Sequence, residues 1–138
     1  FSCSSSSSLG EGWSCEKIYD NEPSSWQDKS LECADATLEF TFSKDVYFEF
    51  LTYENLDDSK SFKRNFKPRD ILITSEEEGF SIEYELENQN TSTQWIDLNT
   101  TTSVITIQIL SAYPGEEVNG AEAFPECAIQ EITFYGRG

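Results

Sequence analysis

Hydrophobic and polar residues alternate with a period of two along most of this chain. The segment "ATLEFTF" sets Leu38, Phe40 and Phe42 against polar neighbours, and "FSIEYEL" and "SVITIQIL" repeat the pattern. Four further segments, "DVYFEFLTY", "DILITS", "TQWIDL" and "CAIQEITFYG", are rich in the β-branched and aromatic residues that favour strands. No amphipathic pattern of ten or more residues predicts a helix. The alternation therefore predicts an all-β fold of about seven or eight strands, arranged as an antiparallel β-sandwich.

The longest segments without this alternation are residues 13–34, 54–69 and 113–126, which we expect to be loops at the ends of the sandwich. The stretch "SSSSSLGEG", residues 4–12, has the low complexity of a flexible linker. We therefore divide the chain into a serine-rich leader or linker, residues 1–14, and one domain, residues 15–138. The alternative is that the serine run is an ordered N-terminal loop held by Cys3.

The charge balance narrows the classes of partner. The 138 residues include 26 acidic and 9 basic side chains, for a net charge of −17. A field of that sign repels nucleic acid and anionic lipid and attracts cations. There is also no apolar run of the length that crosses a membrane. We expect no nucleic-acid binding and no membrane insertion.

Four cysteines, Cys3, Cys15, Cys33 and Cys127, occur without a CxxC pair and without any histidine. Zinc binding is therefore disfavoured, and two disulfide bonds formed in an oxidising compartment are expected instead. Three pairings are open, of which we favour Cys15–Cys33 with Cys3–Cys127. Glycosylation sequons at Asn90 and Asn99 agree with a secreted or cell-surface protein.

Catalysis is disfavoured by the residue inventory. Without histidine, the Ser-His-Asp and Cys-His arrangements are excluded. Adjacent acids such as Glu116 and Glu117 are expected by chance in a chain with 26 acidic residues. No glycine-rich phosphate loop is present. We predict that the protein is not an enzyme.

Several segments together resemble a known family. These are "IYDNEPSSW", "NFKPRDILI", "TQWIDL", "ITIQILSAYPGE" and "CAIQEITFYG". Their order resembles the galactose-binding-like jelly rolls of the discoidin, or coagulation factor V/VIII type C, superfamily. Within it, the chain is most similar to the translocation and glycan-binding module of NAD glycohydrolases. It departs from the usual "Asp-Gly-…-Thr-x-Trp" opening, which here reads Asp20-Asn21 and Ser24-Ser25-Trp26.

The resemblance implies a structural calcium ion that joins the first loop to the last strand. It assigns side-chain oxygens to Asp20, Ser25 and Glu131, with Trp26 packed beneath the loop. Backbone oxygens would come from Lys17, Glu22 and Gln130. Calcium suits such a set, because it takes six to eight oxygen ligands. The alternative needs no metal: Asp20 begins an Asx turn, a serine caps it, and Glu131 is a solvated strand residue.

Carbohydrate binding is the function that these features favour, because sugars are held by an aromatic face and a few directed polar groups. The aromatic candidates in or near predicted loops are Trp13, Tyr53, Tyr113 and Phe124. Arg64 is a further candidate, from the basic cluster "KSFKRNFKPRD", which could receive an anionic sugar or a partner carboxylate. For Arg69 we favour an ion pair with a neighbouring acid, and for Trp95 a place in the core.

We therefore predict a non-catalytic extracellular carbohydrate-binding or adhesion module with a structural calcium ion, whose partners are cell-surface or matrix glycans. Other extracellular proteins are further possible partners. The alternative function is a structural or protein–protein interaction domain of an extracellular filament or matrix.

Overall fold

The computed structural model describes residues 2–5, 26–31, 33, 36–56, 59–77, 79–120, 122–123 and 126–137. In this part of the chain, strands predominate and the one helix has six residues. No helix among these residues has the length and apolar character needed to span a membrane.

Within the described ranges, ten strands and one short helix follow one another. They are β1 (Ser2–Ser5), β2 (Trp26–Leu31), β3 (Thr37–Glu54), α1 (Ser59–Arg64), β4 (Lys67–Pro68), β5 (Asp70–Ser75), β6 (Ser81–Glu85), β7 (Gln94–Ile109), β8 (Ala112–Tyr113), β9 (Glu126–Ile129) and β10 (Glu131–Arg137).

The main sheet has six antiparallel strands in the order β1-β3-β7-β5-β6, with β10 also paired to β3. β3 and β7 form its centre and pair from Thr37 opposite Gln108 to Tyr53 opposite Gln94. β5 pairs with β7 only between Ile105 and Ile109. Among the described residues, the first half of β7 is therefore an open edge on the side away from β3.

Two short sheets, β2-β9 and β4-β8, complete the fold. They are linked by a bridge between Phe66 and Cys127 and by a hydrogen bond from the Ala128 N–H to the Phe66 carbonyl (3.1 Å). One hydrophobic cluster joins them to the main sheet, from Trp26 and Ile129 to Phe40 on β3. This all-β, sandwich-like architecture confirms the predicted fold class.

The elements agree with the alternation but are longer and more numerous than predicted. "ATLEFTF" and "DVYFEFLTY" join into β3, and "TQWIDL" and "SVITIQIL" join into β7, in each case across a register irregularity. The predicted loop 13–34 contains β2, which has no clear alternation and takes its conformation from pairing with β9. Short elements α1, β4 and β8 occupy parts of the other two predicted loops.

The N-terminal residues include a strand. Ser2–Ser5 forms β1 and pairs with β3 from Thr41 to Leu38. The beginning of the predicted leader is thus part of the main sheet. Residues 6–25 lie outside the described residues, so the domain boundary at residue 14 stays a prediction.

The favoured disulfide pairing is wrong, because Cys33 is bonded to Cys127. Pairing of β2 with β9 places Leu31 opposite Glu126 and so brings Cys33 beside Cys127, with Cα atoms 4.8 Å apart. The link closes a separation of 94 residues and joins the segment between β2 and β3 to β9. Cys3 is also disulfide-bonded, and Cys15 lies outside the described residues.

Candidate functional site

A polar cleft lies at the end of the main sheet where β3 ends and β7 begins. It is lined by Glu54, Asn55, Asn90, Thr91, Ser92, Thr93 and Gln130, and we call it the rim cleft. Its volume is ≈ 180 Å³, below the roughly 300–1,000 Å³ of pockets for drug-sized ligands. The lining offers carboxylate, amide and hydroxyl groups, which suit one small polar ligand.

The rim cleft is held in place by hydrogen bonds beneath it. Asn55 is 3 % exposed; its Oδ1 accepts from the Tyr53 hydroxyl (3.0 Å), and its Nδ2 donates to the Gln89 carbonyl (2.8 Å). The Gln89 side chain accepts from the backbone N–H groups of Thr91 (2.8 Å) and Ser92 (2.9 Å). These bonds fix the loop before β7 and hold the lining groups of the rim cleft in position.

Two glutamates lie on neighbouring strands at this end of the sheet. Glu131, the first residue of β10, lies directly opposite Glu54 in the antiparallel register, so both side chains leave the same face of the sheet. Glu54 accepts a hydrogen bond from the Thr93 hydroxyl (2.9 Å), and Glu131 is 9 % exposed. Like charges directly opposite each other destabilise a strand pair, and a buried carboxylate needs compensation by donors or a cation.

Of the six predicted calcium ligands, the structure describes two consecutive residues: Gln130, which lines the rim cleft, and Glu131, which lies opposite Glu54. Both are largely buried. Asp20, Ser25, Lys17 and Glu22 lie outside the described residues. Among the residues that the structure does describe, no three carboxylates or cysteines cluster as metal ligands. Trp26 is fully buried in β2, as expected for an apolar anchor.

The three predicted ligand-binding residues that the structure describes, Tyr53, Tyr113 and Arg64, each make contacts within the protein. Tyr53 is 1 % exposed within β3, so it cannot contact a ligand directly. Its hydroxyl supports the rim cleft through the hydrogen bond to Asn55. Burial also raises the pKa of its phenol. The Tyr113 hydroxyl donates to the Leu86 carbonyl (2.8 Å), and Arg64 Nε donates to the Glu122 carbonyl (2.8 Å). Trp13 and Phe124 lie outside the described residues.

The basic cluster is largely engaged within the protein. Arg69 Nη2 lies 3.1 Å from Glu85 Oε2, as expected from sequence, and its guanidinium lies over the Tyr113 ring at 5.7 Å. The hydrogen bond and charge of Glu85 raise the pKa of Arg69. Lys67, which the sequence did not single out, is 1 % exposed and donates from Nζ to the Phe62 carbonyl (3.0 Å). This arrangement does not favour the predicted site for an anionic sugar.

The expectation that Trp95 belongs to the core is wrong. Its side chain is 61 % exposed, because the strict alternation of β7 directs Ile96 and Leu98 into the core and Trp95 to the opposite face. Trp95 stacks on Phe50, and Phe50 stacks on Tyr135, each pair with ring centroids 4.7 Å apart. We call these three residues the aromatic stack. Residue type alone did not predict it, because the exposure of Trp95 depends on which face of the alternating strand β7 meets the core.

The two sequons differ in setting. Asn90 lines the rim cleft, whereas Asn99 lies on the exposed face of β7 and accepts a hydrogen bond from the Tyr47 hydroxyl (3.1 Å). Glycosylation at both positions stays a prediction.

Comparison with known proteins identifies the fold. No family model matches the chain, and no curated protein matches it by sequence. Solved structures do match, among them the CBM32-1 and CBM32-2 domains of Clostridium perfringens ZmpB in complex with GalNAc. That match has 12 % identity and a TM-score of 0.70, and it covers 99 % of this chain and 33 % of that one. This chain thus spans about a third of the ZmpB structure.

Two further structures have lengths close to that of this chain. The family 32 CBM of C. perfringens NanJ, in complex with galactose, has 12 % identity and a TM-score of 0.70 and covers 97 % of this chain and 93 % of that one. An F5/8 type C domain from Bacteroides fragilis has 12 % identity and a TM-score of 0.64 and covers 99 % and 91 %. The chain therefore has the galactose-binding-like, discoidin-type fold. The finer resemblance to the NAD glycohydrolase module stays a prediction.

Proposed function

We propose that this chain is a non-catalytic carbohydrate-binding module that works in an oxidising, extracellular setting. The observation that carries the proposal is the rim cleft, a concave and polar site at the end of a rigid β-sandwich. Its carboxylate, amides and hydroxyls can both donate and accept hydrogen bonds, as sugar hydroxyls require. Its size suits a single sugar ring. Solved structures of the same fold in complex with GalNAc and galactose support this choice of ligand class.

The fixed geometry of the rim cleft also favours binding. The hydrogen bonds of Asn55 and Gln89 hold the loop before β7 without a ligand. A preformed site avoids the entropy cost of ordering a loop on binding. The Cys33–Cys127 disulfide supports an oxidising compartment.

A calcium ion next to this end is the second part of the proposal. Glu131 would supply a carboxylate and Gln130 a backbone oxygen, together with Asp20, Ser25, Lys17 and Glu22 from the N-terminal part of the chain. The pairing of Glu131 with Glu54 supports a cation here, because a divalent ion offsets the repulsion of two opposed carboxylates. The ion would supply structural stabilisation and no chemistry.

A glycan array, run with millimolar calcium, tests the proposal against a variant that fills the rim cleft. Ser92→Tyr places a bulky side chain in the lining, and we expect it to weaken glycan binding at least about tenfold. Ser81→Tyr makes the same substitution at an exposed position of β6, outside the rim cleft, and should leave affinity unchanged.

Absence of binding to every glycan by the unaltered protein would refute the proposed function. If the protein then self-associates in sedimentation, the structural or protein-interaction alternative gains support. Equal affinity of Ser92→Tyr and the unaltered protein would place the glycan elsewhere on the surface.

A further inference from the structure

We infer that the open face of Trp95 is a second sugar subsite, which extends the rim cleft along β7 and makes the ligand a neutral glycan of two or more units. The inference rests on the proposed function, since it places the first sugar in the rim cleft. Beyond the proposed function, it assigns Trp95 to sugar binding, the direction of β7 to the bound glycan and a neutral charge to its sugars.

The aromatic stack spans three neighbouring strands on the face opposite the core. Tyr135 of β10 lies directly opposite Phe50 of β3, and Trp95 of β7 lies opposite Thr52, two residues further along β3. The planes of Trp95 and Phe50 meet at 29° and those of Phe50 and Tyr135 at 18°. The stack fixes the orientation of Trp95, so the tryptophan binds without losing much side-chain freedom.

The three rings stand upright and do not form a flat platform. Nearly parallel rings whose centroids are 4.7 Å apart must turn their faces towards each other, because carbon atoms pack at about 3.5–4.0 Å. Phe50 covers one face of Trp95. The other face points towards the side of β7 where β5 pairs only from Ile105 onward, which explains the 61 % exposure. One planar, partly apolar group can stack on it.

This face is continuous with the rim cleft. Thr93 lines the rim cleft, directly precedes β7 and lies two residues before Trp95, roughly 7 Å away for an extended chain. Its hydroxyl donates to Glu54, whose side chain leaves the sheet on the same face as Trp95. The loop that carries Asn90 and Ser92 comes from β6, on the same side of β7 as the open face of Trp95. A sugar in the rim cleft therefore has its neighbour within reach of the indole.

The charges around the two positions select against anionic sugars. Glu54 lies at the rim cleft, and Asp97 is exposed on the same face of β7 as Trp95. The whole chain carries a net charge of −17. An acidic surface repels uronic, sialylated or sulfated glycans. Neutral sugars meet no such penalty and can donate hydroxyl hydrogen bonds to both carboxylates.

The test compares Trp95→Ala and Trp95→Phe with the unaltered protein on neutral mono-, di- and trisaccharides of galactose, GalNAc, glucose and fucose, and on sialylated or sulfated counterparts. Removal of the indole should weaken disaccharide and trisaccharide binding about tenfold and leave monosaccharide affinity within twofold. Trp95→Phe keeps a ring and should restore part of the loss. Leu110→Ala, which shortens another exposed apolar residue, is the matched control and should change neither.

Several results would overturn the inference. Equal loss of monosaccharide and oligosaccharide affinity in Trp95→Ala would make Trp95 a support of the rim cleft only. No loss in either would remove it from the site, and preferred binding of anionic glycans would refute the charge argument. Trp95-dependent binding of an arginine-rich peptide, with no effect of Trp95→Ala on glycans, would assign the face to a protein partner. Failure of the unaltered protein to bind any sugar would instead refute the proposed function, and the inference with it.

Discussion

Lys67 is buried, although lysine side chains are usually exposed to solvent. It lies in β4 with 1 % exposure, its Nζ donates to the Phe62 carbonyl, and it stands 4.5 Å from the centre of the Phe62 ring. Burial lowers the pKa of its ammonium group, and the attraction of Glu116 opposes that change. The charged form is therefore less favourable in the folded protein than in the unfolded chain.

This environment predicts a dependence of stability on pH. The unfolded lysine keeps its ordinary pKa of 10.5, so unfolding takes up a proton, and the destabilising effect of Lys67 diminishes as pH rises from the lowered pKa towards 10.5. We expect the stability of the unaltered protein relative to Lys67→Met to increase over this alkaline range. Urea unfolding at successive pH values measures the difference.

Two features make the comparison specific. Tyr53 is present in both proteins, so the loss of stability that its raised pKa causes above pH 10 cancels in the difference. Lys44→Met, at an exposed position of β3, should show no such change with pH. A constant difference between the unaltered protein and Lys67→Met would show that the ammonium group is not destabilised by burial.

The residues of the candidate site illustrate what sequence alone can and cannot supply. An ion pair of Arg69 with an acid was predicted from the residues, and the packing of Trp26 was predicted from the family resemblance. The particular partner of Arg69, Glu85, is set by the pairing of β5 with β6. Trp95 was misassigned because its exposure depends on which face of β7 meets the core. The rim cleft was missed because Glu54, Thr93 and Gln130 come from three separate segments that only the strand register brings together.

At the level of elements, the alternation of hydrophobic and polar residues predicts a strand well where one face is buried and the other is exposed to solvent. β5 has the bounds of the segment "DILITS", and "FSIEYEL" contains β6. Alternation fails for β2, whose sequence "WQDKSL" becomes a strand through pairing with β9, about a hundred residues later. Contacts of that separation leave no local signal, and the same pairing decides the Cys33–Cys127 bond.

β10 contains a close approach that only glycine can make. Its register with β3 shifts between Tyr135 and Gly136, and a Cβ at Gly136 would collide with the Tyr47 carbonyl oxygen and lie 3.0 Å from the Phe48 Cα. Both are backbone atoms, so the clash cannot be relieved by rotation of a side chain. Gly136→Ala should therefore destabilise the fold by about 1–3 kcal/mol and lower the melting temperature by at least about 4 °C.

The matched control is Gly120→Asn. Gly120 has φ 82° and no atom within 4 Å of a built Cβ, and asparagine tolerates positive φ better than other residues with a side chain. Its melting temperature should change little. A melting temperature of Gly136→Ala equal to that of the unaltered protein would show that β10 and β3 separate at this point without cost.

On the scale of the whole molecule, charge and topology act on the same end of the fold. The net charge of −17 opposes compaction, and the register of β10 with β3 places Glu131 against Glu54. A disulfide already joins Cys33 to the β9 strand that precedes Glu131. A divalent cation at this end would reduce the repulsion and add a second connection between the N-terminal part of the chain and β10.

The proposed calcium ion therefore predicts a stability change that does not depend on sugar binding. A ligand that binds only the folded state, at about 100 times its Kd, adds roughly 2.7 kcal/mol to the free energy of unfolding. We expect calcium to raise the melting temperature by several degrees relative to EDTA, and magnesium to do so much less, because it requires octahedral geometry at shorter distances. Asp20→Asn and Glu131→Gln should each remove most of the calcium response, whereas Glu83→Gln, an exposed acid on β6, should retain it. Equal melting temperatures of the unaltered protein in calcium and EDTA would refute the ion, and a full response in Glu131→Gln would place it away from β10.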